Sequence, residues 1–173
     1  GRVEHLQSPN IPGFGDPVVS WTYQNGQLRS AEDLLTGVKW QAEDYDAAGR
    51  LVSESLDAIS TIRRFDNRGR IRFLASSRGG PIQSLALDFD KGGNVVSRHD
   101  NLARVTEDFG YDSLGRLENW TVYQRCRKSR TDFSYDVVGN LLSRKPLANS
   151  DDCSADFKVP GNGLYNPDTA NLN

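Results

Sequence analysis

Tyr111-Asp112-Ser113-Leu114-Gly115-Arg116-Leu117 is the stretch whose reading decides the fold. An aromatic and an Asp lead in, a Gly follows three residues after the Asp, and a polar and an aliphatic residue lead out. This is the pattern of a β-hairpin tip. The three-residue loop Ser113-Leu114-Gly115 fits a type I turn followed by one left-handed position, which Gly occupies without steric cost. Asp112 then faces Arg116 as a charge pair, and Tyr111 faces Leu117 as an aromatic–aliphatic pair.

The stretch recurs. Tyr45-Asp46-Ala47-Ala48-Gly49-Arg50-Leu51 is the cleanest copy. Phe65-Asp66 leads to Gly69, Phe89-Asp90 to Gly93, and Tyr135-Asp136 to Gly139. An earlier copy, Tyr23-Gln24-Asn25-Gly26-Gln27-Leu28, is one residue shorter. Its Asn-Gly pair is a two-residue hairpin signal. The shorter loop keeps Tyr23 opposite Leu28, so the aromatic–aliphatic pair outlasts a change of turn type. Tip aromatics at 23, 45, 65, 89, 111 and 135 lie an even number of residues apart, the spacing of a repeat of about two strands and two turns.

Outside the tips the chain alternates. Val19, Trp21 and Tyr23 point one way, Ser20 and Thr22 the other, which predicts a half-buried strand. Ala31 to Gly37 is read as the connection at the opposite end of the hairpins, with room for a helical turn. Further connections are expected at Leu56–Ser60, Ser76–Pro81, His99–Ala103 and, as a basic solvated loop, Arg125–Arg130. The expected organisation is an irregular N-terminal segment over 1–17, a hairpin array over 18–145 and a non-repeat C-terminal arm over 146–173. The fold class expected is all-β, an antiparallel meander of about twelve strands. Such a sheet has open edges, which call for neighbouring repeats or a partner.

Composition narrows the function. The 173 residues carry a formal net charge of -2, so no general electrostatic case exists for nucleic acid. Apolar residues make up 36%, a share that suits sheets with a wet face. No apolar run approaches the roughly 20 residues of a membrane-spanning helix. The chain has no Met, and a processed or excised segment is expected. Cys126 and Cys153 can form a disulfide in an exported protein, and two unlinked thiols fit the sequence as well.

Tyr-Asp-x-x-Gly-Arg-Leu at this period resembles the YD or Rhs repeat, over about residues 18–145. The text from Arg98-His99-Asp100-Asn101-Leu102 through Val105–Phe109 to Tyr111-Asp112 also resembles the Rhs repeats of bacterial polymorphic toxins and insecticidal toxin complexes. Teneurins carry similar repeats. The resemblance implies a β-strip that spirals into a shell enclosing a toxin polypeptide, in a secreted or cell-surface protein. It implies neighbouring repeats or shell subunits as partners. Asn166-Pro167-Asp168 is not the chain-cleaving motif that follows many such repeats, so no protease assignment carries over.

No nucleophile elbow or phosphate loop is present. Asp88–Asn94 has the look of a calcium loop, but His99 stands where the closing Glu belongs. The Asp residues at 46, 66, 90, 112 and 136 are read as turn caps rather than paired acids. His5 and His99 are read as structural or surface residues. The expectation is a protein that is not an enzyme and holds no cofactor. A second reading is an adhesin or carbohydrate-binding module that meets a cell-surface glycan or protein through its variable loops. In that reading Trp120, of opposite parity to Tyr111, offers an outward ring.

Overall fold

The computed structural model describes residues 2, 4–7 and 18–151. Every regular element among them is a strand, and the strands pair antiparallel. The chain divides into two compact units, Gly1–Gln83 and Ser84–Asn173.

The first unit holds β1 (His5–Gln7), β2 (Val18–Gln24), β3 (Gln27–Asp33), β4 (Lys39–Tyr45), β5 (Leu51–Leu56), β6 (Ile59–Phe65) and β7 (Ile71–Ser77). The division falls inside β8 (Pro81–Phe89). The second unit continues with β9 (Val95–Asp100), β10 (Val105–Tyr111), β11 (Leu117–Gln124), β12 (Arg127–Tyr135), β13 (Leu141–Pro146) and β14 (Ser150–Asp151). Within each unit the strands lie side by side in chain order, a meander, except that β14 pairs with β12.

Several boundaries differ from the sequence reading. His5–Gln7 pairs with β2 inside the segment expected to be irregular. Ala31, Glu32 and Asp33 belong to β3, and no helix is found among the described residues. The turn begins later because Asp33 caps it: its carboxylate accepts from the Leu35 N–H at 2.9 Å and the Thr36 hydroxyl at 2.7 Å. His99 and Asp100 likewise belong to β9, where Asp100 Oδ1 accepts from the N–H groups of Leu102 and Ala103. Arg127–Arg130 is strand, not loop; only Arg125 and Cys126 form the turn. Arg125 holds a left-handed φ of 51°, which lets two residues reverse the chain.

The sheet has little dry interior. Ala42 is the one fully buried apolar side chain among the described residues, while Ser84, His99, Thr106, Glu107, Thr121 and Thr131 are buried and polar. Backbone ladders and cross-strand pairs must therefore carry much of the cohesion.

One irregularity recurs beside every tip. The register steps by one residue next to each tip aromatic. The pairings place the extra residue on the return strand, at Arg29, Val52, Arg72, Val96, Glu118 and Leu142 in turn. These are β-bulges, in which two residues of one strand stand opposite one of its neighbour and the local twist increases.

Candidate functional site

The six tips are built alike. Each tip aromatic pairs with the aliphatic residue that leaves the loop: Tyr23 with Leu28, Tyr45 with Leu51, Phe65 with Ile71, Phe89 with Val95, Tyr111 with Leu117 and Tyr135 with Leu141. In the Tyr111 tip, Gly115 N–H donates to the Asp112 carbonyl and Asp112 N–H to the Arg116 carbonyl, both at 2.9 Å. Gly115 has a φ of 76°. The same two bonds recur at Gly49, Gly69, Gly93 and Gly139.

The tip carboxylates are saturated. Asp112 Oδ1 accepts from the N–H groups of Leu114 and Arg116, and Oδ2 accepts from Arg116 Nε at 2.7 Å. Asp46 and Asp66 repeat this with Arg50 and Arg70. At Asp90 and Asp136 an Asn amide takes the place of the guanidinium. All five carboxyls sit below the usual Asp range, Asp66 at about 2. The leading cause is the backbone N–H of the residue four on for Asp46, Asp66 and Asp112. For Asp90 and Asp136 it is the Asn side chain. Groups so held are anchors for the loop, poorly placed to exchange protons at neutral pH.

Tips also bond to one another. The Tyr45 hydroxyl donates to the Leu28 carbonyl at 2.6 Å, Tyr111 to Val95 at 2.8 Å and Tyr135 to Leu117 at 2.9 Å. In each case the acceptor is the aliphatic residue leaving the preceding tip. Burial, and then the nearby Asp90 charge, push the Tyr111 hydroxyl upward, so it stays a donor. Arginine makes a second link. Arg50 lies 4.5 Å from the centre of the Phe65 ring and Arg116 lies 4.8 Å from that of Tyr135, while each guanidinium is held by its own tip Asp. A net hydrogen bond is worth about 0.5–1.5 kcal/mol and an exposed cation–π contact about 0.5–1 kcal/mol. The two links are therefore comparable in strength. The sequence reading missed both, because it paired each aromatic only within its own hairpin.

Two further constellations join residues that lie far apart in sequence. Glu54 on β5 accepts from Trp40 Nε1 on β4 at 2.7 Å and forms an ion pair with Arg63 on β6. Burial pushes the Glu54 carboxyl upward, and the bonds from Arg63 and Trp40 outweigh it and hold it low. Glu107 on β10 accepts from Trp120 Nε1 on β11 at 3.2 Å and pairs with Arg98 on β9. Trp120 lies opposite Phe109, and Phe109 shares a face with Tyr111 by strand alternation. The outward orientation expected from its parity is thus overturned. The bulge residue Glu118 shifts the phase between Leu117 and Trp120.

His99 sits in a buried polar network. Its Nε2 lies 3.1 Å from Ser97 Oγ and its Nδ1 lies 3.1 Å from Thr106 Oγ1. Ser97 Oγ donates to Asp108 Oδ1 at 2.8 Å. Nucleophilic activation places the carboxylate on the far nitrogen of the imidazole, whereas here it holds the hydroxyl directly. Desolvation lowers the His99 pKa, against an opposing pull from Asp108. Ser97 and His99 alternate on β9 opposite Asp108 and Thr106 on β10, a pairing visible only once the register is known.

Cys126 is not a free thiol, and Cys153 lies outside the described residues. The segments 8–17 and 152–173 lie outside them as well.

Tips, tip-to-tip links and strand order together define an all-β meander of repeated hairpins. Two solved structures share this fold. The crystal structure of TcdB2-TccC3-Cdc42 matches with a TM-score of 0.64 at 19% identity, over 76% of this chain and 8% of that one. The crystal structure of TcdB2-TccC3 matches with a TM-score of 0.63 at 19% identity, over 82% of this chain and 9% of that one. At this identity the likeness is one of fold. No protein-family model and no curated sequence matches the chain.

Proposed function

We propose that this chain is a non-enzymatic structural segment of an exported Rhs/YD-repeat protein, forming part of the wall of a β-shell that encloses a toxin polypeptide. The observation that carries this reading is the bonding between successive tips. The repeated aromatic and the repeated Arg each hold a neighbouring hairpin, and the repeated Asp holds the Arg. The most regular chemistry in the chain is thus directed at making wall. The fold shared with the TcdB2-TccC3 structures supports the same reading. This chain covers less than a tenth of those chains, as one segment of a wall would. Its partners are then the hairpins on either side and the enclosed polypeptide.

The test uses the full-length parent protein. Its enclosed polypeptide is expected to resist protease while the shell is folded and to be cut once the shell is denatured. Cleavage at the rate of the isolated polypeptide would overturn the reading.

A further inference from the structure

We infer that the tips carry a pairing rule between neighbouring hairpins, and that the outer edge of β13 takes a hairpin bearing tyrosine, not phenylalanine, at its tip. The inference rests on the wall reading and names the neighbour that this edge selects.

The rule comes from comparing junctions. The residue closing a loop is Gln27, Arg50, Arg70, Asn94, Arg116 or Asn140, and the aromatic opening the next tip is Tyr45, Phe65, Phe89, Tyr111 or Tyr135. Phenylalanine follows only arginine. Arg50 lies over the Phe65 ring, so a ring without a hydroxyl is still held. After Gln27 and Asn94 the aromatic is tyrosine, and its hydroxyl reaches the Leu28 or Val95 carbonyl. Asn94 Nδ2 is engaged by its own Asp90 at 2.9 Å. Where the guanidinium is missing, the hydroxyl makes the link.

The last tip ends in Asn140, whose Nδ2 is engaged by Asp136 at 2.8 Å. Leu141 follows, in the position held by Leu28, Val95 and Leu117 at the earlier junctions. Among the described residues no tyrosine reaches its carbonyl, and the strand order ends at β13. Leu141 and Leu142 are 55% and 66% exposed. This edge continues the series of junctions already present, so its occupant is a hairpin of the same kind. Its nearest counterpart is the Asn94–Tyr111 junction, and β10 is the strand that meets it there.

The probe is a head-to-tail cyclised peptide of residues 105–124, with its hairpin fold verified by NMR. It is titrated against the full chain, alongside the same peptide carrying Tyr111→Phe. The tyrosine peptide is expected to bind roughly fivefold more tightly, the worth of one net hydrogen bond. In an Asn140→Arg chain the Tyr111→Phe peptide should gain binding, as Arg50 holds the Phe65 ring, while the tyrosine peptide keeps its advantage, as Tyr135 bonds the Leu117 carbonyl beside Arg116. Asn140 is exposed, and arginine already stands at the matching place in three tips, so this variant should fold. Equal binding to the unmodified chain, no binding by either peptide, or NMR shifts centred away from β13 would each overturn the inference. None of these outcomes bears on protease protection, which tests the wall reading separately.

Discussion

The Tyr135 hydroxyl and the Leu117 carbonyl meet at 2.9 Å across two hairpins. One residue opens a tip and the other leaves the tip before it. The aromatic that closes its own hairpin therefore also fastens the preceding one. Tyr135→Phe should lower stability by about 0.5–1.5 kcal/mol, because the carbonyl loses its partner while the ring stays under Arg116. Tyr135→Ala should cost clearly more. Urea midpoints of the two variants check the order, and an unchanged midpoint for Tyr135→Phe would show that the hydroxyl contributes nothing.

Gly115 and Gly110 should fail for different reasons. A Cβ on Gly115 meets nothing within 4 Å, yet its φ is 76°. Gly115→Ala should therefore cost about 1–2 kcal/mol in backbone strain alone. A Cβ on Gly110 would lie 2.2 Å from Asn119 Nδ2. Gly110→Ala should destabilise by collision, and adding Asn119→Ala should restore much of the loss. Thermal melts of the two single variants and the double variant separate the cases.

Acid should loosen the tips. Asp66 has a pKa of about 2 in the fold, against an ordinary 3.8, chiefly because the Arg70 N–H favours the carboxylate. The unfolded chain binds the proton first. The contribution of Asp66 is thus present above about pH 3.8 and is lost as pH falls toward about 2. Asp66→Asn should flatten that part of the stability profile. Denaturation midpoints at pH 5, 3.5 and 2.5 test it, and an unchanged slope would count against the bonding described.

His99 acts at milder pH. Burial lowers its pKa below 6.5, so the neutral ring is the folded form, with Asp108 pulling the other way through the charge it places nearby. Stability should be complete above pH 6.5 and decline below it, as the unfolded chain takes up the proton more readily. An NMR titration should place the His99 midpoint below 6.5. His99→Gln should remove the decline, and a midpoint at or above 6.5 would refute the assignment.

The fold class was legible because a hairpin tip is local chemistry. Tyr111, Asp112, Gly115 and Leu117 carry their instruction within seven residues. What lay between hairpins was not legible. Nothing near Glu118 signals a bulge, so counting by twos placed Trp120 on the wrong face. The Ser97–His99–Asp108 network and the two Trp–Glu–Arg groups depend on register across strands, which a turn motif does not specify. Strand ends at Asp33 and Asp100 were misplaced for a related reason. The Asp caps sit on the last strand residue, and polarity alone reads as loop.

Because the Tyr45, Tyr111 and Tyr135 hydroxyls each reach the tip immediately before their own, these hairpins are fastened neighbour to neighbour within each unit. Damage at one tip is then felt locally and dies out along the row, as in a one-dimensional chain of coupled units. A hairpin can be replaced, lengthened at its far end or duplicated as long as it honours the tips on either side. Diversity can collect in the return turns while the joined tips stay in step.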